Sequence, residues 1–552
     1  MNTEVRGLQL RLLHLEICIS KQGVKELRIL VSDPISEKGV QILREAGHEV
    51  DINTGNDEAA LCEIIKSYDA LIVRSQSQIT KDVIEASDKL KIIGRAGVGV
   101  DNISIPAATR KGIVVVNSPD GNTMAAAEHT LALMMSLARN IPQADQSLRL
   151  SREWKRSKFT GVEVYAKTLG VVGLGKIGFE VAKRALAFGM SVLAYDPFAS
   201  AEKAAKMGIK IASLEMVLRE GDFITIHVPK TKDTLNLISS EEFAMMKEGA
   251  RIINCARGGI IDESALCNAL NEGKIAGAAL DVFVNEPPLD NPLLDCNNII
   301  ATPHLGASTR EAQINVAIDV AEQIAIYFKD GSVRAAVNLP TVDAAVMEAT
   351  APYISFASKL GKILYGLAGG GITSLDIAYA GDINSLSTTA ITRAMIAGVL
   401  SSAMPESVNI VNAAMVAESR GMRITETRDS NDRGYDNLIS VTAESPQGIR
   451  SIAGNILHSG EEHIVAIDGY RVDVKTEGRM ILSDHIDKPG IIGKVGTLLG
   501  NAGINIASMQ VGRKAPLGRA VMVLSIDNQV TDDVLQKFAA LEGINDCIMV
   551  EL

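Results

Sequence analysis

An arginine, a glutamate and a histidine punctuate one stretch of the chain: Arg257 in Asn254-Cys-Ala-Arg-Gly-Gly259, Glu286 in Asp281-Val-Phe-Val-Asn-Glu-Pro287 and His304 in Thr302-Pro-His-Leu-Gly306. A guanidinium can grip a carboxylate bidentately and polarise the neighbouring oxygen. An imidazole exchanges protons near neutral pH, and a carboxylate beside it fixes its tautomer and favours its protonated form. Together the three suit a small 2-keto or 2-hydroxy acid. Singly, each has a plainer reading: His304 as a satisfied core histidine, Glu286 as a helix cap or surface acid, Arg257 as a salt-bridge partner. Upstream, Gly173-Leu-Gly-Lys-Ile-Gly178 offers a place for a dinucleotide, and the combination points to hydride transfer.

The elements around that glycine string decide its weight. A strand is expected over Thr168-Leu-Gly-Val-Val172, a helix from Phe179 to Phe188, and a further strand over Ser191-Val-Leu-Ala-Tyr195 that ends in Asp196. Gly173 allows the tight turn, Gly175 the close approach of a pyrophosphate, and Gly178 the packing of helix on strand, while the helix N-terminus supplies amide donors and Lys176 and Ile177 are further candidate contacts. Asp196 would bond the adenosine ribose hydroxyls and repel an extra phosphate, so the expected cofactor is NAD.

A second parallel α/β alternation precedes this one, with strand-like runs at 26–33, 70–74, 91–95 and 113–117. Their ends, Arg74-Ser75 and Arg95-Ala-Gly-Val-Gly99, fall where such sheets bind ligands. The predicted fold class is α/β, with two Rossmann-like parallel-sheet domains, an α+β domain after them, and a C-terminal ferredoxin-like βαββαβ module from Arg479 to Leu552. The expected divisions are an extension at 1–24, a discontinuous substrate domain at 25–119 and 307–338, the nucleotide domain at 120–306, an intervening domain at 339–477 and the terminal module at 478–552.

At 552 residues the chain exceeds what one hydrophobic core supports. Its 55 basic against 66 acidic side chains leave a net charge of −11, which argues against nonspecific nucleic-acid binding. Six scattered cysteines without a C-x-x-C pair indicate neither a disulfide framework nor a metal site, and with no membrane-spanning run they suggest a cytoplasmic protein.

The glycine string, the Arg257 motif, Ala279-Leu-Asp-Val-Phe283, Glu286-Pro287 and Pro303-His-Leu-Gly-Ala-Ser308 resemble the D-2-hydroxyacid dehydrogenases, and more narrowly the long-form D-3-phosphoglycerate dehydrogenases. The resemblance implies NAD-dependent oxidation of 3-phosphoglycerate to 3-phosphohydroxypyruvate, the opening step of serine synthesis, in a dimer or tetramer. It implies that His304 takes the hydroxyl proton, Glu286 orients it and Arg257 binds the acid. It further implies that Asp281 contacts the cofactor and that Arg74, Gly97, Val98 and Asn102 face the substrate. His485-Ile-Asp-Lys-Pro-Gly490 and Gly503-Ile-Asn-Ile506 resemble an ACT domain, which implies L-serine as effector with His485, Asp487 and Asn505 as contacts; a purely dimerising module is the alternative. The rival readings are a glyoxylate- or lactate-type dehydrogenase and a nonenzymatic NAD-sensing scaffold of corepressor type.

Overall fold

The computed structural model describes residues 26–552 except 297, 340–343, 405–407 and 430–433. The extension expected at 1–24 therefore lies outside the described residues.

The first sheet comprises β1 (Arg28–Val31), β2 (Glu49–Ile52), β3 (Ala70–Val73), β4 (Ile92–Arg95) and β5 (Val114–Asn117), all parallel, in the order β2-β1-β3-β4-β5. Ala70-Leu-Ile-Val73 is buried at every position because apolar layers cover both faces of the sheet.

The second sheet holds β6 (Thr168–Val172), β7 (Ser191–Tyr195), β8 (Ile209–Ile211), β9 (Phe223–Ile226), β10 (Ala250–Asn254), β11 (Ile275–Leu280) and β12 (Ile299–Ala301). Its order is β12-β11-β10-β9-β6-β7-β8, again parallel. Strand order reverses between β6 and β9, so a crevice opens beyond their carboxyl ends. Three helices matter to the site: α1 (Thr123–Arg139), α2 (Lys176–Ala187) and α3 (Glu263–Asn271). A fourth, α4 (Arg310–Asp330), is capped by Thr309 Oγ1 and closed by Gly331 in the left-handed region. It returns to the first sheet, where the missing Cβ of Gly94 makes room for Val320 and Ile324.

Beyond the long helix α5 (Ala344–Ala368) lies a mixed sheet of β13 (Ser374–Gly381), β14 (Arg423–Asp429), β15 (Asn437–Ser445), β16 (Gly448–Ile456), β17 (Glu462–Ile467) and β18 (Tyr470–Lys475). The last sheet is antiparallel: β19 (Arg479–Ile486), β20 (Ile506–Arg513), β21 (Arg519–Ile526) and β22 (Ile544–Glu551), in the order β20-β21-β19-β22, with α6 (Ile491–Asn501) and α7 (Asp532–Ala539) between its strands. That is the ferredoxin-like arrangement. Alternation along β19 sends Met480 and Leu482 into a core shared with α5, and Ile481 into the core beneath α6 and α7.

In the two parallel sheets, the strands absent from the sequence reading are β2, β8 and β12. All are sheet edges of three or four residues. An edge strand lacks two buried faces, so it carries no continuous apolar run to betray it.

Candidate active site

Parallel strands deliver the proposed catalytic residues to one rim. Arg257 follows β10, Glu286 follows β11 and His304 follows β12, three neighbouring strands of the second sheet. The first two loops touch, because Gly258 sits so close to the Phe283 carbonyl that a Cβ there would collide with it. His304 Nδ1 lies 2.8 Å from Glu286 Oε2, and Glu286 Oε1 accepts the Phe283 amide at 3.1 Å. The ring stays half exposed, with Nε2 left for an outside partner. Burial alone would raise the Glu286 carboxyl, but the hydrogen bond and charge of His304 and the Phe283 amide outweigh it and hold it below the ordinary value.

His304 has φ = 54°, a conformation that side-chain-bearing residues rarely adopt, and the surrounding bonds enforce it. Its amide donates to the carbonyls of Asp281 and Thr302, both at 3.0 Å. The Asp281 side chain binds the rest of the turn: Oδ1 accepts from Leu305 N at 2.7 Å and Thr302 Oγ1 at 2.5 Å, and Oδ2 accepts from Gly306 N at 2.8 Å. His129, on α1, completes this network, with Nε2 3.1 Å from Asp281 Oδ1 and 3.2 Å from Thr302 Oγ1. Burial would raise the Asp281 carboxyl, yet the bonds from His129, Thr302 and Leu305 prevail and lower it.

The Asp281 side chain is 1% exposed and both oxygens bond the histidine turn, so it braces His304. His129 was not anticipated. Only its spacing from the start of α1 connects it to the site, and no local motif marks that.

The chain has another histidine on this rim, His227 after β9, beneath Gly173. Its Nε2 meets Thr225 Oγ1 at 2.9 Å, and burial pushes its pKa down to about 4. Burial thus keeps it neutral, whereas His304 combines a carboxylate partner with a half-exposed ring, which makes it the acid-base candidate.

Arg257 reaches across to the first domain. Its Nε donates to Asp101 Oδ2 at 2.8 Å and its Nη1 to Ala256 O at 2.7 Å, while a Cβ on Gly99 would overlap Nη2. The guanidinium already bonds one carboxylate, that of Asp101, through Nε alone. Nearby, Gly97 leaves space for the guanidinium of Arg95. Arg95 Nε is buried without a partner, and its pKa falls to about 10, first through burial and then through the charges of Arg257 and Arg74. Three guanidiniums thus converge on one corner, and Arg95 is a member the sequence reading did not assign.

Arg74 sits on a loop held by Asp33, which is 1% exposed and accepts the amides of Arg74 at 2.6 Å, Gln76 at 3.2 Å and Ser77 at 3.0 Å. Among the described residues no carboxylate pairs with the Arg74 side chain. Asn102 donates to the carbonyls of Arg74 and Ser77 at 2.8 and 2.7 Å, which makes its amide nitrogen a brace for that loop. Val98 O is taken by Asn117 Nδ2 at 2.6 Å.

The glycine string has the fit a dinucleotide needs. Gly173 has φ = 96°, a Cβ on Gly178 would strike Gly173 O, and the space around Gly175 is open. The first intrahelical bond of α2 is Phe179 N to Gly175 O at 2.9 Å, so the amides of Lys176, Ile177 and Gly178 precede it and are available to an anion. Lys176 pairs with Asp120 of the opposite loop. Asp196, at the end of β7, accepts Leu174 N and Phe198 N, each at 2.8 Å.

The family models match in three segments. They are the NAD binding domain of the D-isomer specific 2-hydroxyacid dehydrogenases over 131–306, the D-3-phosphoglycerate dehydrogenase intervening domain over 349–468, and an ACT domain over 480–543. A D-3-phosphoglycerate dehydrogenase of Synechocystis is 50% identical, with 95% of each chain covered. The chain belongs to the D-3-phosphoglycerate dehydrogenase family. The enzyme of that name from Archaeoglobus fulgidus is 46% identical over 95% of this chain and 100% of its own. Among solved structures, a D-lactate dehydrogenase from Aquifex aeolicus complexed with NAD and lactic acid is 29% identical, with a TM-score of 0.50, covering 55% of this chain and 96% of its own. A glyoxylate reductase from Paecilomyes thermophila is 28% identical, with a TM-score of 0.52, covering 56% and 98%. Those two lack counterparts for almost half of this chain, so the likeness shared with them is that of the dehydrogenase unit.

The ACT segment holds the three expected effector contacts. His485 lies in β19, fully buried, with both ring nitrogens unpartnered, and burial lowers its pKa. Asp487 accepts from Arg513 Nη1 at 2.9 Å, and Asn505 donates to Asp527 Oδ2 at 2.5 Å, so these two residues are engaged with different partners. Among the described residues no helix is long and apolar enough to cross a membrane, and no group of three or more His, Cys, Asp or Glu side chains is arranged to hold a metal.

Proposed function

We propose that the chain oxidises 3-phospho-D-glycerate to 3-phosphohydroxypyruvate with NAD, the opening step of L-serine synthesis. The observation that carries this reading is the pairing of an acid-base couple, His304–Glu286, with a corner where Arg74, Arg95 and Arg257 converge. A substrate with a carboxylate at one end and a phosphate of about two negative charges at the other suits more than one guanidinium.

Arg257 binds the substrate carboxylate and the C2 oxygen, and Arg74 the phosphate. His304 Nε2 takes the hydroxyl proton as the C2 hydrogen leaves with its electrons. Glu286, ionised at neutral pH, accepts from Nδ1–H, fixes the tautomer and supports the imidazolium that forms. NAD, when bound, supplies the two-electron acceptor. Gly173, Gly175 and Gly178 admit its pyrophosphate, the amides of Lys176, Ile177 and Gly178 donate to it, and Asp196 faces its ribose.

The ACT segment supports L-serine as a feedback ligand, with Asp487 and Asn505 as contacts, in a cytoplasmic homo-oligomer. By linkage, serine inhibits only if it binds two enzyme states unequally. The test is NADH formation from 3-phosphoglycerate, D-lactate and D-glycerate, with and without millimolar L-serine. A strong preference for the phosphorylated acid supports the reading, and equal or better use of D-lactate overturns it.

A further inference from the structure

The cysteines, dismissed above as scattered, include one pair that the fold brings together. Cys267 on α3 and Cys296, which caps a 3-10 turn at Pro292–Asp295, are 29 residues apart in sequence, and their sulfurs lie 3.7 Å apart. Cys62, Cys255 and Cys547 sit in separate cores. The sulfur separation is van der Waals contact, and about 1.6 Å of approach would make a disulfide of about 2.05 Å.

Two further observations give the pair significance. First, Cys267 lines a cavity of about 330 Å³ whose wall includes Glu263, Asn285, Pro287, Asp290 and Leu293, which gives a small solute a route to its sulfur. Second, the cavity wall is the segment that carries Glu286. Glu263, the first residue of α3, already fastens that segment: its Oε1 accepts Val284 N and its Oε2 accepts Asn291 Nδ2, both at 2.7 Å. A bond between Cys267 and Cys296 would fasten the same helix to the far end of the same segment.

We propose that Cys267 and Cys296 form an oxidisable dithiol, which a peroxide converts to a disulfide that restrains the Glu286 segment. The Cys267 sulfur attacks one peroxide oxygen; an S–O bond forms, the O–O bond breaks, and the departing oxygen leaves as water. The Cys296 sulfur then displaces the hydroxyl from the Cys267 sulfenic acid, and an S–S bond and a second water result. Two thiols lose two electrons and one peroxide gains them. Burial, then the neighbouring Cys267, push the Cys296 thiol up to about 11, so this closing step accelerates as the pH rises above neutral. The cross-link does not depend on the catalytic reading of Glu286; its effect on turnover does.

The experiment treats the full chain with hydrogen peroxide, blocks free thiols with iodoacetamide, and maps unreduced peptides by mass spectrometry beside an NADH assay. The expected result is a linked Cys267–Cys296 peptide pair, two hydrogens lighter than the separate peptides and reversed by dithiothreitol. Turnover should fall several-fold in parallel and return on reduction. Cys267→Ser should match the reduced wild type in untreated turnover and keep that rate after peroxide. Both cysteines remaining alkylatable after other thiols have reacted overturns the dithiol. A quantitative cross-link with unchanged turnover overturns the coupling to Glu286, and a peroxide loss that persists in Cys267→Ser assigns inactivation to another residue.

Discussion

The turn that carries His304 and the motif that opens the ACT segment both place a histidine among acidic groups, yet only the first ring has a carboxylate partner and an exposed face. Around His304 the buried carboxylate Asp281 has a hydrogen-bond partner for each oxygen, and the ring has its own carboxylate and an open face. Around His485 the ring is buried with neither nitrogen bonded, while Asp487 and Asn505 are tied to Arg513 and Asp527. A buried polar group left without a partner costs about 1–3 kcal/mol. The first cluster is therefore a preorganised device, whereas the second buries its histidine without a hydrogen-bond partner among the described residues.

Removing the clamp tests the first half of that contrast most severely. Arg257→Ala strips a charged hydrogen-bond donor from the bound acid, a loss of about 2–5 kcal/mol, or roughly thirty- to several-thousand-fold in kcat/KM for 3-phosphoglycerate. Steady-state kinetics on the variant checks this, and a change below threefold would show that the fork is structural.

A smaller loss is expected one layer back. His129→Ala removes a hydrogen bond to a buried carboxylate, about 1.5–3 kcal/mol, and slackens the turn at His304. Turnover should fall about ten- to a hundredfold while NAD affinity holds, and His129→Gln, which retains a donor, should recover part of it. A change in melting temperature alone, with turnover intact, would reduce His129 to a packing residue.

The cationic corner separates substrates. Arg74→Ala should raise KM for 3-phosphoglycerate about tenfold, the scale of one charge-assisted bond, and leave D-glycerate use nearly unchanged. Equal losses on both would remove the phosphate role.

Acid sharpens the comparison in another way. Glu286 and Asp281 are both depressed in the folded chain, so the stability each adds is complete above its unfolded value of about 4 and is lost as the pH falls through the still lower folded value. Hydrogen exchange of the Leu305 and Gly306 amides, both bonded to Asp281, should stay slow from neutrality to about pH 5 and quicken only below about pH 4. Quickening near pH 6 would mean that a histidine, and not the carboxylate, governs the turn.

The smallest effect is expected at the ACT segment. Calorimetry with L-serine should give a heat that Asp487→Ala or Asn505→Ala removes. No heat, or a heat that both variants retain, would contradict these contacts.

The catalytic motifs were legible because glycines and prolines mark the ends of parallel strands, and such ends share one rim whatever lies between them. The ferredoxin-like segment was legible from alternation, with its strands expected at 479–483, 504–511, 520–526 and 545–551 and found within a few residues of those bounds. Residues that act through space were not legible. His129, Asp101 and Asp33 lie far along the chain from the groups they serve, and only the fold brings them close. A motif specifies which residue stands at a strand end, while burial decides which way its side chain faces, as at Asp281 and His485.

The most direct test of the account is the pH dependence of kcat/KM for 3-phosphoglycerate oxidation in the wild type and in His304→Asn. The wild type should rise with pH through an acid limb as one group loses its proton. In the variant that limb should vanish, with turnover down by about 10²–10⁴-fold and NAD binding retained. An unchanged limb, or turnover close to wild type, would mean that residue 304 carries no proton in the reaction.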